Sequence, residues 1–164
     1  MKMEGMKGFE FVNYFDKVPH VKSMFINVFS IDQIPTIIPL RKFLVCNLSE
    51  SKLPGSHWVV LVRSEKETLE IFNSLGFINL DLIAPYLKFR NKIKVHFNED
   101  QFQSDNSTSC GKFCIYFAVQ RILNLDMSFE HILELIFNLN KEINELTVTK
   151  FCENILSNHD TNCF

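Results

Sequence analysis

The sequence predicts a mixed fold in which one buried helix packs on a small β-sheet, and three observations support this prediction. Residues 43–48, FLVCNL, form a short apolar run that is typical of a buried strand. Residues 57–63 and 68–73 are rich in β-branched residues and flank the charged turn SEKE, which predicts a β-hairpin. Residues 110–123 are apolar on nearly every side, which indicates a helix buried against that sheet.

The segments around this centre are expected to supply more helices and one more strand. Residues 9–30 mix aromatic and polar positions, and we expect a short helix with connecting loops there. Residues 79–90 read as helical, with Pro85 near the first turn or at a kink. Residues 92–97, KIKVHF, are predicted to form a third strand.

Two helices are predicted to follow the central one. Ser128 could cap a helix that runs to about Asn140, and Asn144 could cap another that runs to about Leu156. The chain has no internal repeat, low-complexity tract or Gly/Ser/Pro linker. Residues 1–164 are therefore predicted to form a single domain.

Composition and charge exclude several classes of protein. With 46% hydrophobic and 22% charged residues, the sequence is typical of a soluble globular protein and not of a disordered one. A net charge of −2 argues against extensive wrapping of nucleic acid. The basic positions Lys88, Arg90, Lys92 and Lys94 are interpreted as a solvated face, with contact to a polyanion as the alternative. Neither a signal peptide nor a membrane span is expected.

The cysteines favour one reactive thiol over a metal site or a disulfide framework. There are five, an odd number, and no Cys-x-x-Cys pair occurs among them. A reducing compartment explains this pattern. We interpret Cys46, Cys114 and Cys152 as core or helix residues, and Cys163 as a thiol near an exposed end.

Cys110 is the candidate nucleophile because it opens the central helix after a cluster of small polar residues, QSDNSTS. The positive end of the helix dipole lowers a cysteine pKa from about 8.5 to roughly 3.5–7.5, and the thiolate is the nucleophile. The predicted hairpin brings His57 and Asn73 to one edge of the sheet, since antiparallel neighbours lie about 4.7–4.9 Å apart.

These residues together match the requirements of a cysteine protease. Such an enzyme needs a thiolate, an imidazole, a group that orients the imidazole, and donors for the developing oxyanion. The chain offers Cys110, His57, Asn73 and Gln103 in those roles, with the Cys110 backbone N–H as a second donor. Each residue alone has an ordinary interpretation, namely a core thiol, a strand end, a turn residue and a loop amide. Their occurrence in one order favours the catalytic interpretation.

The same residues resemble the adenain-type cysteine proteases, the adenovirus endopeptidase class within the superfamily of SUMO- and ubiquitin-like proteases. The resemblance rests on GSHW at 55–58, EIFNSLGF at 70–77 and QSDNSTSCGKFC at 103–114, with weaker support from IDQIP at 31–35. It covers roughly residues 25–120. A viral or mobile-element origin is expected from it.

The resemblance implies an α+β, papain-like or Ulp-type cysteine protease fold. In it, a central buried helix bears the nucleophile and packs on a small mixed sheet, with extra helices at the C-terminus. It also implies peptide-bond hydrolysis through a thioester, with Cys110 as the nucleophile and His57 as the base. Gln103 would supply the oxyanion-hole side chain and Asn73 would orient the imidazole.

Further expectations concern the walls of the site and two departures from the family pattern. Trp58 and Gly111 are expected to bind substrate. Asn73 stands where the family usually has Asp or Glu; it can still accept the imidazole N–H, but it stabilises imidazolium less. The family's peptide activator is attached through a cysteine before the Gln, and no cysteine lies between Cys46 and Cys110. No cofactor or metal is expected.

The function expected from these observations is maturation of viral or mobile-element capsid or structural precursors by an endopeptidase. A deSUMOylating or deubiquitinating isopeptidase is the nearest alternative. An acyltransferase and an inactive interaction module, the latter suggested by Asn73, are further alternatives. The expected partner is a protein substrate, a DNA or peptide activator is left open, and no membrane partner is expected. The expected location is intracellular in the host, in cytoplasm or nucleus, or packaged in the virion.

Overall fold

The computed structural model describes residues 5–87 and 93–157. A five-stranded mixed sheet carries most of the helices on one face, and loops with a short helix on the other. In chain order the elements are α1 (Gly8–Asp16), α2 (Pro19–Met24), β1 (Phe25–Ser30), a 3₁₀ turn (Ile31–Gln33), β2 (Phe43–Asn47), β3 (Trp58–Glu65), β4 (Thr68–Phe72), α3 (Leu80–Ile83), β5 (Lys94–Phe97), α4 (Cys110–Leu123), α5 (Phe129–Ile136) and α6 (Lys141–Ser157). No described helix is both long and apolar enough to cross a bilayer.

The sheet follows the order of the chain, from β1 at one edge to β5 at the other. The β1–β2 and β4–β5 pairs are parallel, whereas β2–β3 and β3–β4 are antiparallel. The predicted hairpin is confirmed as β3–β4, with Val60 opposite Phe72. The predicted buried strand is confirmed as β2, all five residues of which are buried. The mixed α+β architecture expected from the sequence is therefore present.

Both faces of the central strands are covered, which explains why β2 is apolar without alternation. Phe43, Val45 and Val60 face the helices and join the core around α4. Leu44 and Leu61 face the opposite side and pack with loop residues in a second, largely aliphatic core. Helix α4 lies against β3 and is itself buried along most of its length, as its apolar sequence predicted.

The prediction for residues 9–30 is incomplete, because this segment forms two helices and an edge strand. Pro19 occupies the first turn of α2, where its missing N–H costs nothing. The following FINVFS segment is rich in aromatic and β-branched residues and pairs with β2 as β1. A short apolar stretch directly after a helical one carried too little periodicity to separate strand from helix.

The length of the helix predicted over 79–90 is wrong. Helix α3 ends at Ile83, and the residues around Pro85 form turns. Asn79 caps this short helix by accepting from the Asp81 backbone N–H at 3.0 Å. The last predicted helical positions, and Lys88, Arg90 and Lys92 of the basic strip, lie outside the described residues. Lys94 is exposed at the start of β5.

Ser128 caps α5 as predicted, with its hydroxyl oxygen accepting from the His131 backbone N–H at 3.1 Å. The helix ends at Ile136 and not near Asn140. The reason is packing, because Phe137 leaves the helix in extended conformation and inserts its ring into an aromatic stack. Its centroid lies 4.4 Å from that of Phe102.

The predicted cap of α6 is wrong by one turn. The side-chain oxygen of Asn140 accepts from the backbone N–H groups of Glu142 and Ile143, so Asn140 holds the start of this helix. Asn144 lies inside the first turn and is buried. Its amide donates to the carbonyl oxygens of Phe102 and Asn138, at 3.2 and 2.7 Å. Asn144 therefore ties α6 to two loops.

A buried ion pair joins α4 to β4. The Arg121 guanidinium donates to both carboxylate oxygens of Glu70, at 2.7 Å from Nε and 2.8 Å from Nη2. Both side chains are almost fully buried, at 2% and 3% exposure. Two parallel hydrogen bonds of this kind fix orientation as well as distance. The pair therefore sets where α4 lies along the sheet.

We expect Arg121→Met to destabilise the protein by about 3–5 kcal/mol, because it leaves the Glu70 carboxylate buried without its partner. Urea denaturation followed by circular dichroism measures this change. The double variant Glu70→Gln/Arg121→Met removes both charges and should recover part of the loss. Equal destabilisation of the single and double variants would contradict this account of the pair.

Candidate active site

One cavity of about 770 Å³ collects most of the residues singled out in the sequence. His57 precedes β3, Trp58 begins it, Gln103 lies in the loop before α4, and Cys110 is the first residue of α4, and all four line this cavity. Asn73 follows β4 and lies behind His57, where it is buried. Residues separated by more than fifty positions therefore meet at one end of the sheet.

The His57–Asn73 contact fixes which imidazole nitrogen carries the proton. His57 Nε2 lies 2.6 Å from Asn73 Oδ1. This oxygen also accepts from the Leu75 backbone N–H at 3.0 Å, which identifies it as the carbonyl oxygen of the amide. A carbonyl oxygen only accepts, so Nε2 carries the hydrogen and Nδ1 of the neutral ring keeps a free lone pair. His57 is thus prepared to accept a proton at Nδ1.

Asn98 holds Asn73 in place, and the sequence analysis did not identify it. Its side-chain oxygen accepts from the Asn73 backbone N–H at 2.8 Å, and its amide donates to the Asn73 carbonyl at 2.6 Å. The signal that could have found it is topological. The strands β4 and β5 are parallel, so the residues after their C-terminal ends are neighbours. Asn98 directly follows β5, as Asn73 follows β4.

The Gln103 side chain is buried and fixed on both sides. Its Oε1 accepts from the Ser74 hydroxyl at 2.6 Å, and its Nε2 donates to the Ser107 carbonyl at 2.9 Å. The Ser74 carbonyl in turn accepts from the backbone N–H groups of Phe102 and Gln103, each at 2.9 Å. Ser74 therefore links the Asn73 loop to the Gln103 loop, a second role that the sequence did not reveal.

The electrostatic environment of Cys110 differs from the simple helix-dipole prediction. Burial raises the pKa of the Cys110 thiol above its usual value. Backbone N–H groups of Trp58, Gly111 and Cys110 itself act in the opposite direction by hydrogen bonding to the sulfur. Desolvation of the thiolate is the larger effect, so the expectation of a lowered resting pKa is not met.

Burial also dominates at His57. It lowers the pKa of the imidazole below 6.5, while the hydrogen bond to Asn73 raises it less. Asn73 is neutral, so it supplies no charge to stabilise imidazolium. Both shifts favour the neutral forms, an imidazole at His57 and a protonated thiol at Cys110.

The segment that precedes α1 contacts both Trp58 and Gly111. The Trp58 indole N–H donates to the Met6 carbonyl at 2.9 Å, and residues 5–8 line the cavity. Gly111 lies beneath Met6, since a Cβ at position 111 would come within 2.7 Å of the Met6 Cβ. Gly111 is not among the residues that line the cavity, and its substrate contact stays a prediction. Nothing in the sequence pointed to Met6.

The other described cysteines are buried and belong to the packed interior, as the sequence indicated. Burial raises the pKa of Cys46 and of Cys152 to about 12, and that of Cys114 well above its usual value. Cys163 lies outside the described residues. Within residues 5–87 and 93–157, no group of three or more His, Cys, Asp or Glu side chains is arranged to hold a metal ion.

We expect Asn73→Asp to raise the pKa of His57 by about 1 unit or more, because a carboxylate stabilises the imidazolium that the amide does not. NMR titration of the imidazole in a Cys110→Ala background measures this pKa without interference from the thiol. Asn73→Ala is the matched control and should lower the pKa further, since the hydrogen bond that raises it is lost. Identical titration curves in all three proteins would contradict the contact seen here.

The fold is similar to those of solved protein structures. Neither a scan with protein-family models nor a search of curated protein sequences gave a match. Among solved structures, the ASFV pS273R protease superposes with a TM-score of 0.56 at 16% identity, covering 93% of this chain and 67% of that one. The effector protein ChlaDUB of Chlamydia abortus superposes with a TM-score of 0.51 at 18% identity, covering 75% of this chain.

The chain spans 60% of the length of the ChlaDUB structure, so that structure contains elements without a counterpart here. Identities this low describe shared architecture. The chain therefore has the α+β, Ulp-type cysteine protease fold that the sequence predicted.

Proposed function

We propose that the chain is a cysteine endopeptidase that hydrolyses peptide bonds through a thioester intermediate. The observation that supports this proposal is the shared cavity, which is lined by Cys110 at the start of a buried helix and by His57, an imidazole of defined tautomer. The fold shared with the ASFV pS273R protease supports the same reaction class. His57, Cys110, Asn73 and Gln103 are the proposed catalytic and positioning groups.

In the proposed first step, the Cys110 sulfur attacks the carbonyl carbon of the scissile bond while its proton passes to His57 Nδ1. The imidazole becomes imidazolium, with Nε2–H still donating to Asn73. His57 then gives the proton to the leaving amine as the C–N bond breaks, which leaves an acyl group on sulfur. Water then attacks this thioester with His57 as the base. The carboxylic acid product is released and the free thiol of Cys110 is regenerated.

The oxyanion of each tetrahedral intermediate requires donors that are already in position. An amide nitrogen carries two hydrogens, and the Ser107 carbonyl occupies one of those on Gln103 Nε2. The second hydrogen, together with the backbone N–H at Cys110, is the proposed oxyanion hole. Because Ser74 and Ser107 fix the amide on both sides, little reorganisation is needed when charge develops.

The proposed substrates are capsid or structural precursor proteins of a virus or mobile element. The support comes from the adenain-like motifs around His57 and Cys110 and from the fold shared with a viral protease. Isopeptidase activity toward ubiquitin-like conjugates is the second candidate, and the fold shared with ChlaDUB favours it. The reaction at sulfur is the same in both cases.

We expect a peptide vinyl sulfone to label Cys110, because this thiol lines the cavity that would hold the peptide, whereas the other described cysteines are buried and do not line it. Intact-mass and peptide-mapping spectrometry locates the adduct. Cys110→Ala should lose labelling, and both it and His57→Ala should lose peptide turnover with folding nearly intact. Full turnover in either variant refutes the assignment.

Gln103→Ala should reduce kcat by about 10²-fold, because one oxyanion donor is removed. Steady-state kinetics on a cleaved peptide measures the change, and KM should move much less than kcat. Ser104→Ala, in the same loop, is the control, because only the backbone of that residue forms the hydrogen bond described for it. A Gln103→Ala enzyme with unchanged kcat would place the oxyanion donor elsewhere.

The two candidate substrate classes are separated by direct comparison. We expect faster cleavage of a capsid-type peptide than of ubiquitin- or SUMO-fluorophore conjugates, each measured with the same enzyme preparation. The Cys110→Ala protein controls for contaminating proteases. Preference for a folded modifier would support the isopeptidase alternative.

A further inference from the structure

Ser109 occupies the N-cap position of α4, yet its hydroxyl does not cap the helix. A serine there normally has extended backbone angles and accepts a hydrogen bond from the N–H of the second or third helical residue. Ser109 instead has φ −88° and ψ 10°, and its side chain makes no cap hydrogen bond. The missing cap leaves donors of the first turn open at the residue proposed as nucleophile.

Glu145, on the first turns of α6, accounts for the direction of that hydroxyl. Its Oε2 accepts from the Ser109 hydroxyl at 2.5 Å, and its Oε1 accepts from the Ser104 backbone N–H at 3.1 Å. One carboxylate thus holds both ends of the loop between Gln103 and Cys110. The neighbouring Ser107 hydroxyl lies 2.5 Å from the Ser109 hydroxyl and accepts from the Ser109 backbone N–H at 3.1 Å, so it reinforces the same arrangement.

A capping hydroxyl on Ser109 would accept from the backbone N–H of Gly111 or Lys112, the second and third residues of α4. The backbone N–H of Phe113 already donates to the Ser109 carbonyl within the helix, at 3.1 Å. The backbone N–H groups of Cys110 and Gly111 lie at the start of the helix and act to lower the pKa of the Cys110 thiol, against the larger effect of burial. A capping hydroxyl would compete for the donors of this first turn.

We propose that Glu145 is a positioning residue that holds the Ser109 hydroxyl away from the start of α4. The first-turn N–H groups then remain available to the Cys110 sulfur and to a substrate oxyanion. This inference rests on the proposed function, in which that sulfur is the nucleophile. Glu145 acts through Ser109 and Ser104, and it is absent from the residues that line the described cavity.

The test measures thiol chemistry and does not require peptide turnover. Iodoacetamide alkylation of Cys110 is followed against pH by mass spectrometry in the full chain. Glu145→Ala should raise the apparent pKa of Cys110 by about one unit, which slows alkylation about tenfold below that pKa. Glu142→Ala removes an exposed carboxylate from the same helix and should leave the rate unchanged.

A second substitution separates competition by the hydroxyl from simple loss of structure. Ser109→Ala alone should leave alkylation within about twofold, because its hydroxyl does not serve the sulfur. In the double variant Glu145→Ala/Ser109→Ala, the competing Ser109 hydroxyl is absent, so most of the alkylation rate lost in Glu145→Ala should be restored. Circular dichroism monitors folding in each variant, and Glu145→Gln, which keeps an acceptor, should lie between wild type and Glu145→Ala.

Three results would overturn the proposal: an unchanged rate in Glu145→Ala, a loss that Ser109→Ala does not restore, or an equal loss in Ser109→Ala alone. Failure of the proposed function gives a different pattern. A chain without peptidase activity would still show the slowed and restored alkylation, whereas an active peptidase with the contrary alkylation pattern would refute only the role of Glu145.

Discussion

The bidentate contact between Arg121 and Glu70 is the constraint on which the geometry of the site depends. It joins the far end of α4 to the middle of β4, in a region that water does not reach. Arg121 lies about 16 Å along the helix from Cys110, at 1.5 Å per residue. Glu70 lies about 10 Å along the strand from Asn73. Helix α4 starts at the site and runs away from it, whereas β4 runs towards the site. The contact between Arg121 and Glu70 therefore sets how far Cys110 lies from Asn73.

Neutral amides carry out the work that carboxylates perform in many acid–base sites. Asn73 orients His57, Asn98 holds Asn73, and Asn144 holds the carbonyl that precedes Gln103. This choice has an electrostatic consequence. Without a negative charge beside the imidazole, burial controls the pKa values of both His57 and Cys110, and the neutral pair is favoured at rest. In the proposed mechanism, proton transfer is then coupled to attack on the substrate.

The sequence was sufficient for the parts of the site that depend on local pattern. The β-branched residues of 57–63 and the charged turn before 68–73 predicted the hairpin, and the hairpin predicted that His57 and Asn73 meet. The apolar run after Cys110 predicted a buried helix with the thiol at its start. The loop position of Gln103, shortly before Cys110, predicted a donor beside the thiol, and both residues line the same cavity.

The residues that the sequence did not reveal act over long separations. Asn98, Glu145 and Met6 each contact the site from an element whose placement depends on tertiary packing. The pKa of Cys110 is a similar case, because the sequence shows the helix start but not the burial that opposes its effect. The early end of α5 depends on an aromatic stack formed by Phe137 with residues far away in the chain.

The most direct test of the central claim is a crystal structure of the chain after reaction with a peptide aldehyde, which adds to a catalytic thiol as a tetrahedral mimic. We expect a hemithioacetal on Cys110 Sγ, with its oxygen about 3 Å from Gln103 Nε2 and His57 Nδ1 facing the adduct. An adduct on another cysteine, or an oxygen directed away from Gln103 and the start of α4, would contradict it.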